Sequence, residues 1–221
     1  MSEYLFRQAQ DSDIPFLVET VISAEKSGTS IIGLSKIFCI EELELKKYLT
    51  QMFEEGIDGC EFSLSSFIVA EFRGLPIAAF GGWIEGENED NMPSSVLKSN
   101  LLGYFLPKKN IAHLYDIMNV LKDIQIEREI NTHQLEYGFV TTEHKGKGII
   151  GKIIEKHLEK VYNQHEHGIK SYVQVFENNI SAIRAYQKAG YRIVKRVESK
   201  NNQILAYLPY HTKLLMEKDK K

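Results

Sequence analysis

A strand that runs into a glycine- and lysine-rich turn and then into an amphipathic helix constrains this chain more than any other feature. The segment reads Val140-Thr141-Thr142-Glu143-His144-Lys145-Gly146-Lys147-Gly148-Ile149-Ile150-Gly151-Lys152. Residues 134–142 are strand-like. Over 146–164, Ile149, Ile150, Ile153, Ile154, His157, Leu158 and Val161 recur at helical spacing, with Lys and Glu opposite. A helix N-terminus carries unpaired N–H groups and about half a positive charge. Glycines let an anion approach that backbone closely, and Lys145, Lys147 and Lys152 add cationic charge. The segment therefore reads as an anion site suited to a phosphorylated ligand. A plain helix start with solvated lysines is the competing reading, and the segment alone does not decide between them.

Two phosphate motifs nearly fit. Gly146, Gly148 and Gly151 spell GxGxxG, the dinucleotide fingerprint. That motif needs a strand leading straight into its first glycine and a carboxylate near 20 residues on, whereas polar residues follow Val140 and Ser171 stands at the offset. Gly146 to Gly151-Lys152 also spells GxxxxGK, but Ile153 follows where a Mg²⁺-binding hydroxyl is required. An NAD site and a nucleoside triphosphatase both fit poorly.

The rest of the chain alternates strands and helices. Strands are predicted over 4–9, 66–72, 75–83, 171–176, 191–197 and 204–215, and helices over 12–26, 41–55, 94–105, 110–122 and 179–189. Arg73-Gly74 marks a hairpin turn, Asp11 to Asp13 offer helix-capping oxygens, and 27–40 has no readable pattern. No linker or repeat divides the 221 residues, so the expectation is an α/β (α+β) fold in one domain over 1–221. Lys and Arg number 27 against 30 Asp and Glu, which argues against a broad basic face for nucleic acid. The apolar runs fall short of the roughly 18 residues a membrane span needs, and residues 1–13 lack the apolar core of a signal peptide. A cytoplasmic protein with buried, reduced Cys39 and Cys60 and no nucleic-acid or membrane partner is expected. The seven histidines form no metal-ligand motif, and His165 and His167, with His157 nearby, read as surface residues at a helix end.

A second motif narrows the function. After the strand 171–176 come Asn179, Ala182, Tyr186, Gly190 and Tyr191, spaced as Asn-x-x-Ala-x-x-x-Tyr-x-x-x-Gly-Tyr. With the glycine loop, this resembles the GCN5-related N-acetyltransferase (GNAT) superfamily, specifically over 134–198 and more loosely over 4–26 and 66–84. Lys145 stands where the family uses Arg or Gln, and Ile150 where it uses Gly or Ala. The resemblance implies a mixed, mostly antiparallel central sheet flanked by helices, with 85–133 as a helical insertion between the third and fourth strands.

The resemblance further implies acetyl transfer from acetyl-CoA to a primary amine of a small molecule or protein. The backbone of Phe139 and Val140 would hold pantetheine, with an N–H near Val140 polarising the thioester carbonyl, and Lys145, Gly146, Lys147, Gly148, Ile149, Ile150 and Gly151 would hold pyrophosphate. Tyr186 would protonate the departing thiolate, Asn179 would cap its helix or touch the cofactor, and Glu136 would take the amine proton, with His133, His144 and Glu177 as rivals. No metal is implied. The insertion would wall the acceptor site, close it as a lid or make a dimer contact, and the acidic run Glu85, Glu87, Glu89 and Asp90 is a weak attractor for a cationic amine. Monomer and homodimer both remain open, as does a catalytically silent acyl-CoA-binding sensor or interaction module.

Overall fold

The computed structural model describes residues 4–165 and 168–219. Seven strands form one sheet in the order β1-β2-β3-β4-β5-β7-β6: β1 Leu5–Gln8, β2 Phe67–Phe72, β3 Leu75–Ile84, β4 His133–Val140, β5 Ser171–Phe176, β6 Arg192–Glu198 and β7 Thr212–Lys218. Every neighbouring pair is antiparallel except β4 with β5. Seven helices accompany them among the described residues: α1 Ile14–Lys26, α2 Gly33–Phe38, α3 Glu42–Glu54, α4 Ser94–Phe105, α5 Lys108–Leu121, α6 Ile149–Gln164 and α7 Ile180–Lys188. This is the mixed, mostly antiparallel α/β arrangement expected from the sequence, with α4 and α5 between β3 and β4.

β2 is apolar on both faces because both are covered. Phe67 and Val69 join a core with α1, α2, α3 and α4, whereas Ile68 and Ala70 join a second core with α6 and α7. The period of two along the strand divides one apolar run between two layers. On α6, Ile149, Ile153, Ile154, Leu158 and Val161 are buried, each worth roughly 1.5–3 kcal/mol. The hairpin turn is Arg73-Gly74, both left-handed at φ 53° and 80°, as a two-residue turn between twisted strands requires.

Several expectations shift. α6 begins at Ile149 rather than 146, since Gly146 and Gly148 are left-handed (φ 76° and 75°) and lie outside the helix. The final strand is shorter than 204–215: 202–206 form a 3-10 turn and pairing starts at Thr212. The unread 27–40 contains the short α2, whose six residues offer too few turns for a period to show. Asp13 does not cap α1 with its side chain, because Arg7 holds it in a two-pronged ion pair at 2.6 and 3.0 Å. Cys60 is buried as expected, but Cys39, the left-handed residue that ends α2, is exposed, and His167 lies outside the described residues.

His157 is not a surface residue but is buried, as is His133. Nε2 of His157 donates to the carbonyl of Phe80 at 2.9 Å. Nδ1 of His133 meets Ser171 Oγ at 2.8 Å, which meets the Tyr191 hydroxyl at 2.5 Å. The rings lie 5.7 Å apart over Gly82, where a Cβ would come within 2.7 Å of His157 and 2.9 Å of His133. Burial pushes His157 down to about 4, against the bond to the Phe80 carbonyl, and His133 well below the usual histidine range, with the charge of Lys160 adding to both. Both are therefore neutral in the fold and bind protons more readily once unfolded. Their contribution to stability is complete above about pH 6.5 and falls as pH drops toward about 4. Urea titrations between those limits are expected to lose about 1 kcal/mol per pH unit or more, and His157→Gln, which keeps a donor for Phe80, should flatten the slope.

Candidate active site

β4 and β5 pair only through His133–Leu135 against Ser171–Val173. Beyond that point the strands part, although β4 runs on to Val140 and β5 to Phe176. The cause lies in β4. Its register against β3 jumps from Gly81↔Glu136 to Ala79↔Phe139, so Phe80 faces two residues, Tyr137 and Gly138. Tyr137 is left-handed at φ 58°. This is a β-bulge, which bends the strand and re-aims its side chains. Glu136 and Tyr137 consequently both reach the α1 side of the sheet, where Tyr137 stacks on Phe62 at 6.2 Å.

The opening exposes backbone. Thr141 N–H donates to Ile77 O at 2.9 Å, and Val140 is the next position along the β3 ladder. Antiparallel alternation turns the Val140 N–H and C=O away from β3, toward the gap where β5 no longer pairs. Phe139 packs on Phe16 of α1 at 6.0 Å. Past the strand, Lys145, Gly146, Lys147 and Gly148 are exposed, and a Cβ at Gly146, Gly148 or Gly151 would meet open space. The first-turn N–H groups of Ile149, Ile150 and Gly151 have no partner within the helix. An extended molecule with a phosphate at one end fits this track: strand edge first, helix N-terminus second.

Tyr186 stands on the α7 side of the gap. It is buried, stacks on Phe80 at 5.9 Å, and its hydroxyl makes no hydrogen bond among the described residues. Burial, with the charge of Glu136 added, pushes its phenol well above the usual tyrosine range, so the proton stays on oxygen. Asn179 caps α7, its Oδ1 accepting from Ala182 N–H at 3.2 Å and its Nδ2 donating to Ser27 Oγ at 3.3 Å.

On the α1 side lies a charged cluster that no motif announced. Glu61 is fully buried and pairs with Lys98 of α4 at 2.8 Å and with Arg128 at 3.3 Å. Arg128 also pairs with Glu136, donates to Ser94 Oγ at 2.9 Å and stacks over Trp83 at 5.0 Å. Glu25, at the end of α1, accepts from Leu34 N–H at 3.0 Å and Tyr137 O–H at 3.1 Å, and burial raises its carboxyl above the usual range. Lys213 of β7 lies over Phe176 at 5.3 Å. These residues come from distant elements, and no local pattern in the sequence marks them.

The rivals of Glu136 are engaged elsewhere. His133 is buried away from the gap, His144 bonds Tyr4 Oη at 3.0 Å, and Glu177 is held by Arg196 at 2.9 and 3.0 Å. The acidic run after β3 does not act as one patch. Glu85 is buried, accepting from Trp83 Nε1 and from Ser94 N–H and O–H, and Glu87 meets His165.

The sequence model described as the Acetyltransferase (GNAT) family matches residues 39–191, more than half of the chain. The chain therefore belongs to the GNAT acetyltransferase family and is an acyltransferase. Its structure is similar to an N-acetyltransferase from Staphylococcus aureus Mu50 (TM-score 0.63, 14% identity, 97% of this chain and 100% of that one). It is also similar to an agmatine N-acetyltransferase (0.59, 13%, 98% and 99%). A third likeness is to the aminoglycoside acetyltransferase AAC(6′)-Ib in complex with coenzyme A (0.51, 15%, 98% and 94%). No curated protein matches the chain, and no helix among the described residues is long and apolar enough to cross a membrane.

Burial pushes the Glu61 carboxyl up, but Arg128 and Lys98 outweigh it and hold the group down at about 2. Glu61→Gln leaves two inward cations without their shared partner. It should cost about 3 kcal/mol in urea unfolding, and Glu61→Gln with Lys98→Met should recover part of that loss.

Proposed function

We propose that this protein is an acetyl-CoA-dependent N-acetyltransferase that transfers the acetyl group directly to a primary amine of a small molecule or protein. The observation that carries the reading is the parting of β4 from β5, with the phosphate-suited loop at one end and Tyr186 and Glu136 on opposite sides of the other. The chain would act as one domain over 1–221, with 85–133 as an insertion that walls the acceptor side. Solved relatives named for agmatine and for aminoglycosides are consistent with an amine acceptor.

The chain's groups suit each part of this chemistry. The outward N–H and C=O of Val140, beside Phe139, would pair with the amides of pantetheine as a neighbouring strand does. The N–H would also stabilise charge growing on the thioester oxygen. Lys145, Gly146, Lys147, Gly148, Ile149, Ile150 and Gly151 would receive the pyrophosphate, through N–H groups that a branched Ile150 leaves free and a lysine charge in place of a guanidinium. Asn179 contributes by fixing the start of α7. Acetyl-CoA supplies an acetyl thioester: as the amine nitrogen bonds the carbonyl carbon the C–S bond breaks, one proton leaving nitrogen and one reaching sulfur. Glu136 would receive the first proton, directly or through water. Tyr186, held protonated by its burial, would give the second and regain it from solvent.

Calorimetry should show selective binding of acetyl-CoA in the micromolar range, about −8 kcal/mol, with NAD giving no heat. Binding without turnover of any amine would favour a silent sensor, and no binding would remove the proposal. In a thiol-release assay, Tyr186→Phe and Glu136→Gln should each lower kcat by about 100-fold or more with little change in acetyl-CoA affinity. Unchanged turnover in either variant would remove that residue's role.

A further inference from the structure

The charges around Glu136 do not cancel pair by pair. Glu61 is met by Lys98 and Arg128, Glu136 by Arg128, and Glu85 by Ser94 and Trp83. Two groups of opposite sign are left over. Glu25 has only neutral donors, Leu34 N–H and the Tyr137 hydroxyl. The Lys213 ammonium makes no hydrogen bond or ion pair among the described residues and rests on the face of Phe176. On β7 the flanking Leu214 and Met216 face the core under α6 and α7, so strand alternation puts Lys213 on the opposite face, the one Glu136 and Tyr137 reach, where the charge of Glu136 acts on it. Burial lowers its ammonium below the usual lysine range, yet the side chain is partly open to solvent. An ammonium withdrawn from water without an acceptor is costly unless something else completes it.

We infer that the acceptor is an amine bearing an acidic group, a carboxylate or a phosphate, which pairs with Lys213 while the amine lies toward Glu136 and Glu25. Lys213 thus sets specificity by charge, and Glu25 supplies the opposing carboxylate. The inference rests on the acetyl-transfer reading and narrows its substrate.

The test uses the full chain with acetyl-CoA and matched amines: L-alanine and L-lysine each against its amide, and O-phosphoethanolamine against ethanolamine. Turnover is followed by thiol release and product mass, and binding of the same amines to the CoA-loaded protein by calorimetry. The acidic member of at least one pair should be favoured about 10- to 100-fold, the range of one charge-assisted contact. The carboxylate and phosphate arms tell the two acids apart. Lys213→Met should collapse that ratio toward one, and Lys213→Arg should restore most of it. Equal or better use of the uncharged partners, or a ratio that Lys213→Met leaves intact, overturns the inference while acetyl transfer stands. If acetyl-CoA binds but no amine turns over, calorimetric discrimination within the pairs decides in the same way. If acetyl-CoA does not bind, the transfer reading falls, and titration of the pairs into the free protein decides whether the basin selects acidic amines.

Discussion

A sheet that comes apart in its middle is the constraint on which the rest of this structure depends. Backbone N–H and C=O groups inside a fold are nearly always paired, so parting two central strands is costly unless both are held from outside. Here they are. β4 keeps its ladder to β3 up to Val140, and β5 keeps its ladder to β7 over its full length. The bulge at Tyr137 supplies the bend, and Phe80 fills the space opposite it, packed in turn on Tyr186. The backbone left unpaired then faces a slot whose far end is the start of α6. In the proposed reaction this missing stretch of ladder is the cofactor site.

The charged basin is the second consequence. The bulge sends Glu136 and Tyr137 to one face, where the chain between β3 and β4 supplies the compensating cations. Lys98 comes from α4 and Arg128 from the segment leading into β4. The passage from β3 to β4 is therefore tied to the sheet by ion pairs as well as by packing. Its latch is buried: Glu85 receives the Ser94 N–H at the start of α4 and its hydroxyl, and that hydroxyl also accepts from Arg128.

Where the sequence is legible, local chemistry explains why. Strand 171–176 is read to the residue because β-branched and aromatic side chains are bounded there by polar turns. Asn179 caps α7 as its type predicts, and the glycine loop opens α6 as expected, three residues later than helical periodicity suggested. Tyr186 is singled out through the family resemblance that Asn179, Tyr186 and Gly190 carry together. The basin was not legible. Glu25, Glu61, Lys98, Arg128 and Lys213 lie on five separate segments, and each looks locally like an ordinary surface charge. Only the long-range register brings them together. The same limit misplaced His157, which periodicity put on the apolar face of α6 while its position near the helix end suggested solvent.

The division of the sheet into two covered faces bears on how protons would move. Tyr186 belongs to the core under α6 and α7, and Glu136 to the face under α1 and α4. Elsewhere in the sheet, paired backbone and packed side chains separate these layers. At the parting of β4 and β5 that barrier is gone, and the charge of Glu136 is felt by the Tyr186 phenol. A proton acceptor and a proton donor on opposite faces can serve one reacting bond only if that bond lies in the gap itself. An amine arriving from the charged basin and a thiolate leaving toward α7 would meet this condition without either group crossing the sheet. In the proposed reaction the bulge would determine the direction of transfer as well as the place of the cofactor. A substitution restoring the β4–β5 ladder would remove both together, whatever catalytic side chains remained.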